Sequence, residues 1–196
     1  QGILHGTTNS LQGDITNNGT VLFDQTINTG GAISAGTYGG AIGGSGNVTK
    51  QAAGTVTLTG ANTYTGQTAV TGGTLAMGAT GSLATTNIAI SAGTINGSGT
   101  ITSVINGDTS QAIQLSGTGR LNISGLTLNL SITDPTQTEY VIANQDVGSA
   151  FITGTTFASV TGLTGLEAIA YTGTVNIPGE IVLVVNPTLN QRGLLI

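Results

Sequence analysis

The residues that could do chemistry are few. His5 is the only imidazole, and eight carboxylates stand singly at Asp14, Asp24, Asp108, Asp134, Glu139, Asp146, Glu167 and Glu180. A hydrolytic triad needs a histidine held by an orienting partner beside an exposed nucleophile, and no Gly-x-Ser-x-Gly elbow accompanies His5. His5 is expected to be a solvated or packed histidine of an N-terminal arm. Glycoside hydrolysis needs two carboxyls about 5 to 9.5 Å apart. Asp14, Asp108 and Asp134 instead adjoin Gly or Pro, where an aspartate serves a turn. No catalytic residue is expected, and the chain is expected not to be an enzyme; a carboxylate pair acting on a polysaccharide is the reading that turnover on a glycan panel would revive.

Metal and cofactor sites fare no better. A calcium-binding β-roll requires Gly-Gly-x-Gly-x-Asp, whereas Gly43-Gly44-Ser45-Gly46-Asn47 runs on into Val48. The same stretch lacks the third glycine or the Gly-Lys-Ser/Thr ending of a phosphate loop. Cysteine is absent, which removes thiolate ligands and disulfides. No cofactor is expected. The net charge is -5, and the three cations, Lys50, Arg120 and Arg192, are too scattered to displace counterions from a polyanion. Nucleic acid is excluded as a partner on that ground. Tyr38 and Tyr64 remain candidate platforms for a stacked sugar ring. Faces rich in Thr and Asn suit a glycan, ice or plain solvent equally well.

The elements that must position these groups are short strands. In the stretch from Gly44 to Leu75 a small-residue turn alternates with a few apolar residues, and Val48, Val56, Leu58, Val70 and Leu75 recur at the period of two of a strand with one buried face. Ala69-Val70-Thr71-Gly72-Gly73-Thr74-Leu75 aligns with Ala89-Ile90-Ser91-Ala92-Gly93-Thr94-Ile95 at an offset of 20, and Gly54-Thr55-Val56 lies 19 before Gly73-Thr74-Leu75. Gly99-Thr100-Ile101 and Gly119-Arg120-Leu121 give the same offset of 20. A repeat of this length belongs to a solenoid, and a parallel β-helix is the natural architecture. About four rungs, some 4.8 Å apart, are expected over residues 44–130, with Thr and Asn stacked in ladders.

The same stretch resembles the passenger-associated strand repeat of bacterial autotransporters. Gly44, Ser45, Gly46, Lys50, Gly54, Thr55, Leu58, Gly60, Asn62, Tyr64, Gly66, Thr68, Val70, Gly72, Gly73, Thr74 and Leu75 fall on its pattern, with Val48 and Val56 in place of Leu. Ala52 stands where the pattern has Gly, so the turn there is expected to depart from it. Weaker likeness extends to 11–23 and, towards the distal end, to 138–142, Phe157 and 181–185. The resemblance implies a secreted, extracellular protein of a bacterial cell surface, and it places Tyr64 at a rung corner.

Around the repeat the composition changes. Asn17-Asn18-Gly19 is a turn between Asp14–Thr16 and Thr20–Phe23, and the Gly-rich 27–44 is expected to be irregular, anchored by Ile33, Tyr38 and Ile42. After Leu130, Asp134-Pro135 breaks the pattern and Tyr140, Phe151, Phe157 and Tyr171 concentrate the aromatics. The longest apolar run, Ile181 to Val185, is far short of the roughly 20 residues of a spanning helix, so no membrane span is expected. No leader with a charged start precedes an apolar run at Gln1, so any signal peptide is expected to have been removed or to lie outside this sequence.

The expectation is therefore an all-β protein, a right-handed parallel β-helix (β-solenoid) with a distinct C-terminal β cap. Its parts are an N-terminal arm and first strands (1–43), β-helix rungs (44–130), and a C-terminal cap with an apolar tail (131–196). Charged residues make up only 6% of the chain, which leaves strand edges little protected. Apolar residues sit near both ends: Ile3, Leu4, Leu194, Leu195 and Ile196. These five are the candidate assembly residues, and the expected partner is a further copy of the chain in a fibre or surface layer. A glycan or other cell-surface ligand bound by an adhesin is the alternative.

Overall fold

A computed structural model describes residues 2–26, 34–84, 87–106, 109–110, 113–133, 136–145, 151–154, 156–163, 167–171 and 180–185. Every regular element in it is a strand. The first circuit contains β1 (Ile3–Gly6) and β2 (Ile15–Thr16). The second has β3 (Thr20–Asp24), β4 (Ala35–Tyr38) and β5 (Ile42–Gly43), and the third β6 (Asn47–Gln51), β7 (Thr55–Leu58) and β8 (Ala61–Asn62). Circuits four and five are β9 (Thr68–Val70), β10 (Thr74–Met77) and β11 (Ser82–Ala84), then β12 (Ile88–Ile90), β13 (Thr94–Gly97) and β14 (Thr100–Asn106) with its short partner β15 (Thr109–Ser110). The sixth is β16 (Ile113–Leu115), β17 (Arg120–Asn122) and β18 (Thr127–Thr133). The seventh is β19 (Glu139–Gln145), β20 (Phe151–Thr153) and β21 (Ser159–Thr161), after which come β22 (Glu167–Tyr171) and β23 (Glu180–Val185).

Corresponding strands stack in parallel into three sheets. The first runs β1-β3-β6-β9-β12-β16-β19, the second β4-β7-β10-β13-β17-β20 and the third β8-β11-β14-β18-β21, while β2 and β5 form a separate parallel pair. This is a parallel β-solenoid. At about 4.8 Å per step, the seven stacked strands of the first sheet span about 30 Å; the third to the sixth circuits are the four rungs expected over 44–130. Parallel pairing also begins before residue 44 and continues past residue 130, from β1 to β21. Beyond β19 the first sheet continues with β23 and β22, both paired antiparallel.

The register turns the sequence repeat into columns of core. In the first sheet Val21, Val48, Thr68, Ile88, Ile113 and Ala143 stand in line, and beside them Phe23, Lys50, Val70, Ile90 and Leu115. The second sheet aligns Val56, Leu75, Ile95 and Leu121, and the third Asn62, Leu83, Ile101 and Leu128. Val48, Val56, Leu58, Val70 and Leu75 are all fully buried, as their alternation requires. The offsets of 20 and 19 within 54–95 are the true register: Val70 lies against Ile90, and Val56 against Leu75.

One offset misleads. Gly99-Thr100-Ile101 and Gly119-Arg120-Leu121 are not equivalent, because Ile101 pairs with Leu128 in the third sheet whereas Leu121 pairs with Ile95 in the second. The cause is a longer circuit: β14 runs on beside β18 as far as Asn106 and pairs antiparallel with β15 before the chain rejoins the first sheet at β16. Asn17-Asn18-Gly19 is likewise a corner between sheets and not a hairpin, since β2 pairs with β5 while β3 pairs with β1 and β6. Tyr38 and Ile42 anchor the second circuit as expected; Ile33 lies outside the described residues.

Corners are built from small residues because successive circuits touch there. A Cβ on Gly60 would come within 2.1 Å of the Gly40 carbonyl oxygen, so no larger residue fits without moving the backbone.

Candidate functional site

The most unusual chemistry lies inside the central repeat. Alternation in β6 turns Val48 and Lys50 inward together, so Lys50 stands in an apolar column between Phe23 and Val70 and is fully buried. Its ammonium donates to the carbonyl oxygens of Gln51 at 2.6 Å, Ala52 at 2.8 Å and Gly72 at 3.1 Å. Three donors meet three acceptors, so the charge is hydrogen-bonded though it has left water. Burial lowers the Lys50 pKa from 10.5 to about 8, with the Asp24 carboxylate opposing that fall.

The cradle depends on the corner that follows. Four residues separate Lys50 from Thr55, whereas three separate Val70 from Thr74 in the circuit stacked on it. The surplus residue is taken up at Ala52, whose φ of 61° is the one left-handed non-glycine conformation among the described residues. Gly73 opposite has φ 63°, and a Cβ there would lie 2.7 Å from the Lys50 Nζ.

Two further polar groups pin the same block. Asn62 is buried in the third sheet, where its Oδ1 accepts from the Ile42 N–H at 3.0 Å while its Nδ2 donates to the carbonyls of Gly60 and Ser82, each at 3.0 Å. One side chain thus bonds to the circuits on both sides of its own. Tyr64 fills the next corner, and its hydroxyl lies 2.5 Å from the Oγ1 of buried Thr68. Desolvation raises the Tyr64 pKa, against which the Thr68 hydrogen bond acts. Neither tyrosine proposed as a sugar platform is available as one. Tyr64 is wholly buried; Tyr38 packs edge-on against Phe23 with ring centroids 5.4 Å apart, and its hydroxyl donates to the Gly13 carbonyl.

The remaining candidates disperse. His5 Nε2 lies 3.1 Å from Asp24 Oδ2, an exposed pair tying β1 to β3. Asp14 accepts from the Ala41 N–H at 2.8 Å, a link between the first and second circuits rather than a bond within its own turn. Asp108, Asp134 and Asp146 lie outside the described residues, and among the described ones no three His, Asp or Glu gather as a metal site would require. No helix long and apolar enough to cross a membrane occurs among the described residues.

Of the candidate assembly residues, Ile3 and Leu4 lie on β1, the outer strand of the first sheet, 70% and 45% exposed. Leu4 is in register with Val21 and so continues a core column to the outermost strand of the first sheet. There a shallow hollow of about 500 Å³ is lined by Ile3, Leu4, Ile15, Asn17, Asn18 and Val21, among others. Leu194, Leu195 and Ile196 lie outside the described residues.

The sequence marked Lys50, Asn62 and Thr68 as positions of the repeat pattern, and Lys50 also as one of three cations, without giving any of them a role in the core. The signal for Lys50 was its parity: two residues after an inward valine, it had to point inward. The block that carries Lys50, Asn62, Tyr64 and Thr68 coincides with a known repeat. The family model of the passenger-associated-transport-repeat matches residues 48–77. No curated protein matches the chain. Residues 48–77 therefore carry a repeat of the autotransporter passenger type, a repeat family that implies a secreted or surface-exposed protein.

Proposed function

We propose that the chain is a secreted, non-catalytic structural protein: a β-solenoid subunit whose copies add end to end into an extracellular fibre or surface layer. The observation that carries this reading is the outer β1 edge, where exposed Leu4 continues a core column beside exposed Ile3. A parallel sheet edge of this kind presents unpaired N–H and C=O groups, and strand addition satisfies them in the same way as each internal rung. Contacts of this head-to-tail type extend without closing. In this reading the winding is right-handed, and the antiparallel β19-β23-β22 arrangement forms the C-terminal cap.

Electron microscopy and sedimentation of the purified chain over a range of concentrations test the proposal. Filaments are expected for the natural sequence and dispersed rods for Ile3→Lys combined with Leu4→Lys, with unchanged far-ultraviolet circular dichroism. Dispersed rods of the natural sequence at every concentration would overturn it.

The repeat match at 48–77 favours a second reading, a passenger fragment displayed on a bacterial surface as an adhesin for a host or polysaccharide ligand. Binding of dispersed rods to a glycan panel at a saturable site is its test, and uniform failure to bind counts against it.

A further inference from the structure

The first sheet ends on β1 at one edge and on β22 at the other. Every step from β1 to β19 is parallel, after which β23 pairs antiparallel with β19 and β22 antiparallel with β23. Two reversals restore the original direction, so β22 runs parallel to β1. The columns survive the reversals. Leu4 starts the inward column that runs through Val21 and Val48 to Ala143, and the register carries it on through Ile181 to Tyr171. Ile3, the residue before Leu4, is 70% exposed on an outward column whose next members are Thr20 and Asn47. At the opposite edge the corresponding column is apolar: Ala170, the residue before Tyr171, lies against Val182, and buried Val182 against Val141. Ile3 thus differs from its neighbours in its own half of the sheet and matches the far edge.

We propose that β22 of one copy adds as a parallel strand to β1 of the next, with Tyr171 over Leu4, Ala170 over Ile3 and Ile169 over Gly2. This rests on the end-to-end assembly proposed above and specifies its junction. The overlap is three residues, the length of β9, β12 and β16, which pair inside the solenoid. Backbone groups face the right way: the Gly2 carbonyl accepts from the Thr20 N–H at 3.0 Å, so the alternation of a ladder turns the N–H and C=O of Ile3 away from β3, towards the strand to be added. Ile169 already packs against the core. Strand direction decides the kind of assembly. Because β22 is parallel to β1, the neighbour keeps the same direction and the same face inward, and the contact is head-to-tail and repeats.

The test is disulfide trapping in the full chain, which has no cysteine of its own. Neighbouring positions on adjacent strands lie about 4.8 Å apart, within the reach of a disulfide. Ile3→Cys and Ala170→Cys chains are mixed, assembled and oxidised mildly. The expected product is a dimer joining one of each, mapped to those two positions, and the double variant should give a ladder of multimers that reduction returns to monomer. Ala170→Lys alone should raise the concentration at which filaments appear by about tenfold or more, with unchanged circular dichroism. Filaments in which positions 3 and 170 do not link, in which Ile3→Cys links instead to Leu195→Cys, or which Ala170→Lys leaves unaffected would overturn this junction and leave end-to-end assembly standing. Failure of the natural sequence to form filaments would overturn both.

Discussion

Replacing Lys50 by Met tests whether the buried ammonium is held as described. Met keeps most of the stem that packs between Phe23 and Val70 but removes the three donors to Gln51, Ala52 and Gly72. Three orphaned carbonyls cost about 3 kcal/mol at about 1 kcal/mol each, the low end for buried acceptors. Against this, removal of the charge relieves a desolvation penalty. A pKa lowered from 10.5 to about 8 corresponds to about 3 kcal/mol at pH 7, reduced to about 2 by screening through a wall one strand thick. Met should therefore be less stable by about 1 kcal/mol at pH 7.

The pH dependence carries the sharper test. Below about pH 8 the lysine is protonated in both the folded and the unfolded chain, and the penalty is present in full. Between about 8 and 10.5 the unfolded chain binds the extra proton, so stability of the natural sequence rises with pH. Up to pH 9.5 the rise should be about 1 to 2 kcal/mol. The Met variant lacks it, and the gap between the two should widen to about 2 to 3 kcal/mol. Tyr38 and Tyr64, whose pKa values burial raises, favour the folded state below the unfolded value of 10 and lose that contribution above it, equally in both proteins. Urea titrations followed by circular dichroism at pH 7, 8, 9 and 9.5 measure the difference. A gap that stays constant or narrows over this range would refute the account of the Lys50 cradle.

Other substitutions probe the same block by the same titrations. Ala52→Gly relieves the left-handed strain at φ 61° and should stabilise by about 0.5 to 1 kcal/mol after the entropy cost of glycine; a loss would mean that the corner is not strained. Asn62→Leu matches the apolar column of Leu83 and Ile101 but orphans the Ile42 N–H and the Gly60 and Ser82 carbonyls, and should cost about 2 to 4 kcal/mol. A gain in stability would show that hydrophobicity outweighs the ladder. Tyr64→Phe removes the partner of the buried Thr68 hydroxyl and should cost about 1 to 2 kcal/mol, most of it recovered in the double variant with Thr68→Val.

The core columns of residues 44–95 were legible because alternation within strands and a spacing near 20 together fix which residues face inward and which lie over one another. The rest was hidden for identifiable reasons. Circuits that bulge, such as the one through β14 and β15, break the spacing while leaving the Gly-Thr-Ile flavour of the sequence intact, so Gly99 and Gly119 looked equivalent and are not. Tyr38 looked like a surface platform because an aromatic among glycines in a Gly-rich stretch has no period to place it. Its burial follows from edge-on packing against Phe23 on another wall of the same circuit, a partner 15 residues away that no sequence period identifies.

Why polar groups should occupy the core of the repeat follows from the uniformity of the solenoid. Val56, Leu75, Ile95 and Leu121 form one column of similar residues, so a slip of a whole circuit would exchange one aliphatic contact for another at little cost. Hydrophobic burial alone cannot tell the right stack from its neighbours. Lys50 and Asn62 can. Moved by one circuit, Lys50 would keep the Gln51 and Ala52 carbonyls, which travel with it, but lose the Gly72 carbonyl of the next circuit, and a buried ammonium left short of one acceptor loses about 1 kcal/mol or more. Asn62 displaced in the same way would lose the Ile42 N–H below and the Ser82 carbonyl above together. Both lie within residues 48–77, the stretch that matches the repeat family, so that block sets the register to which the more uniform circuits on either side conform.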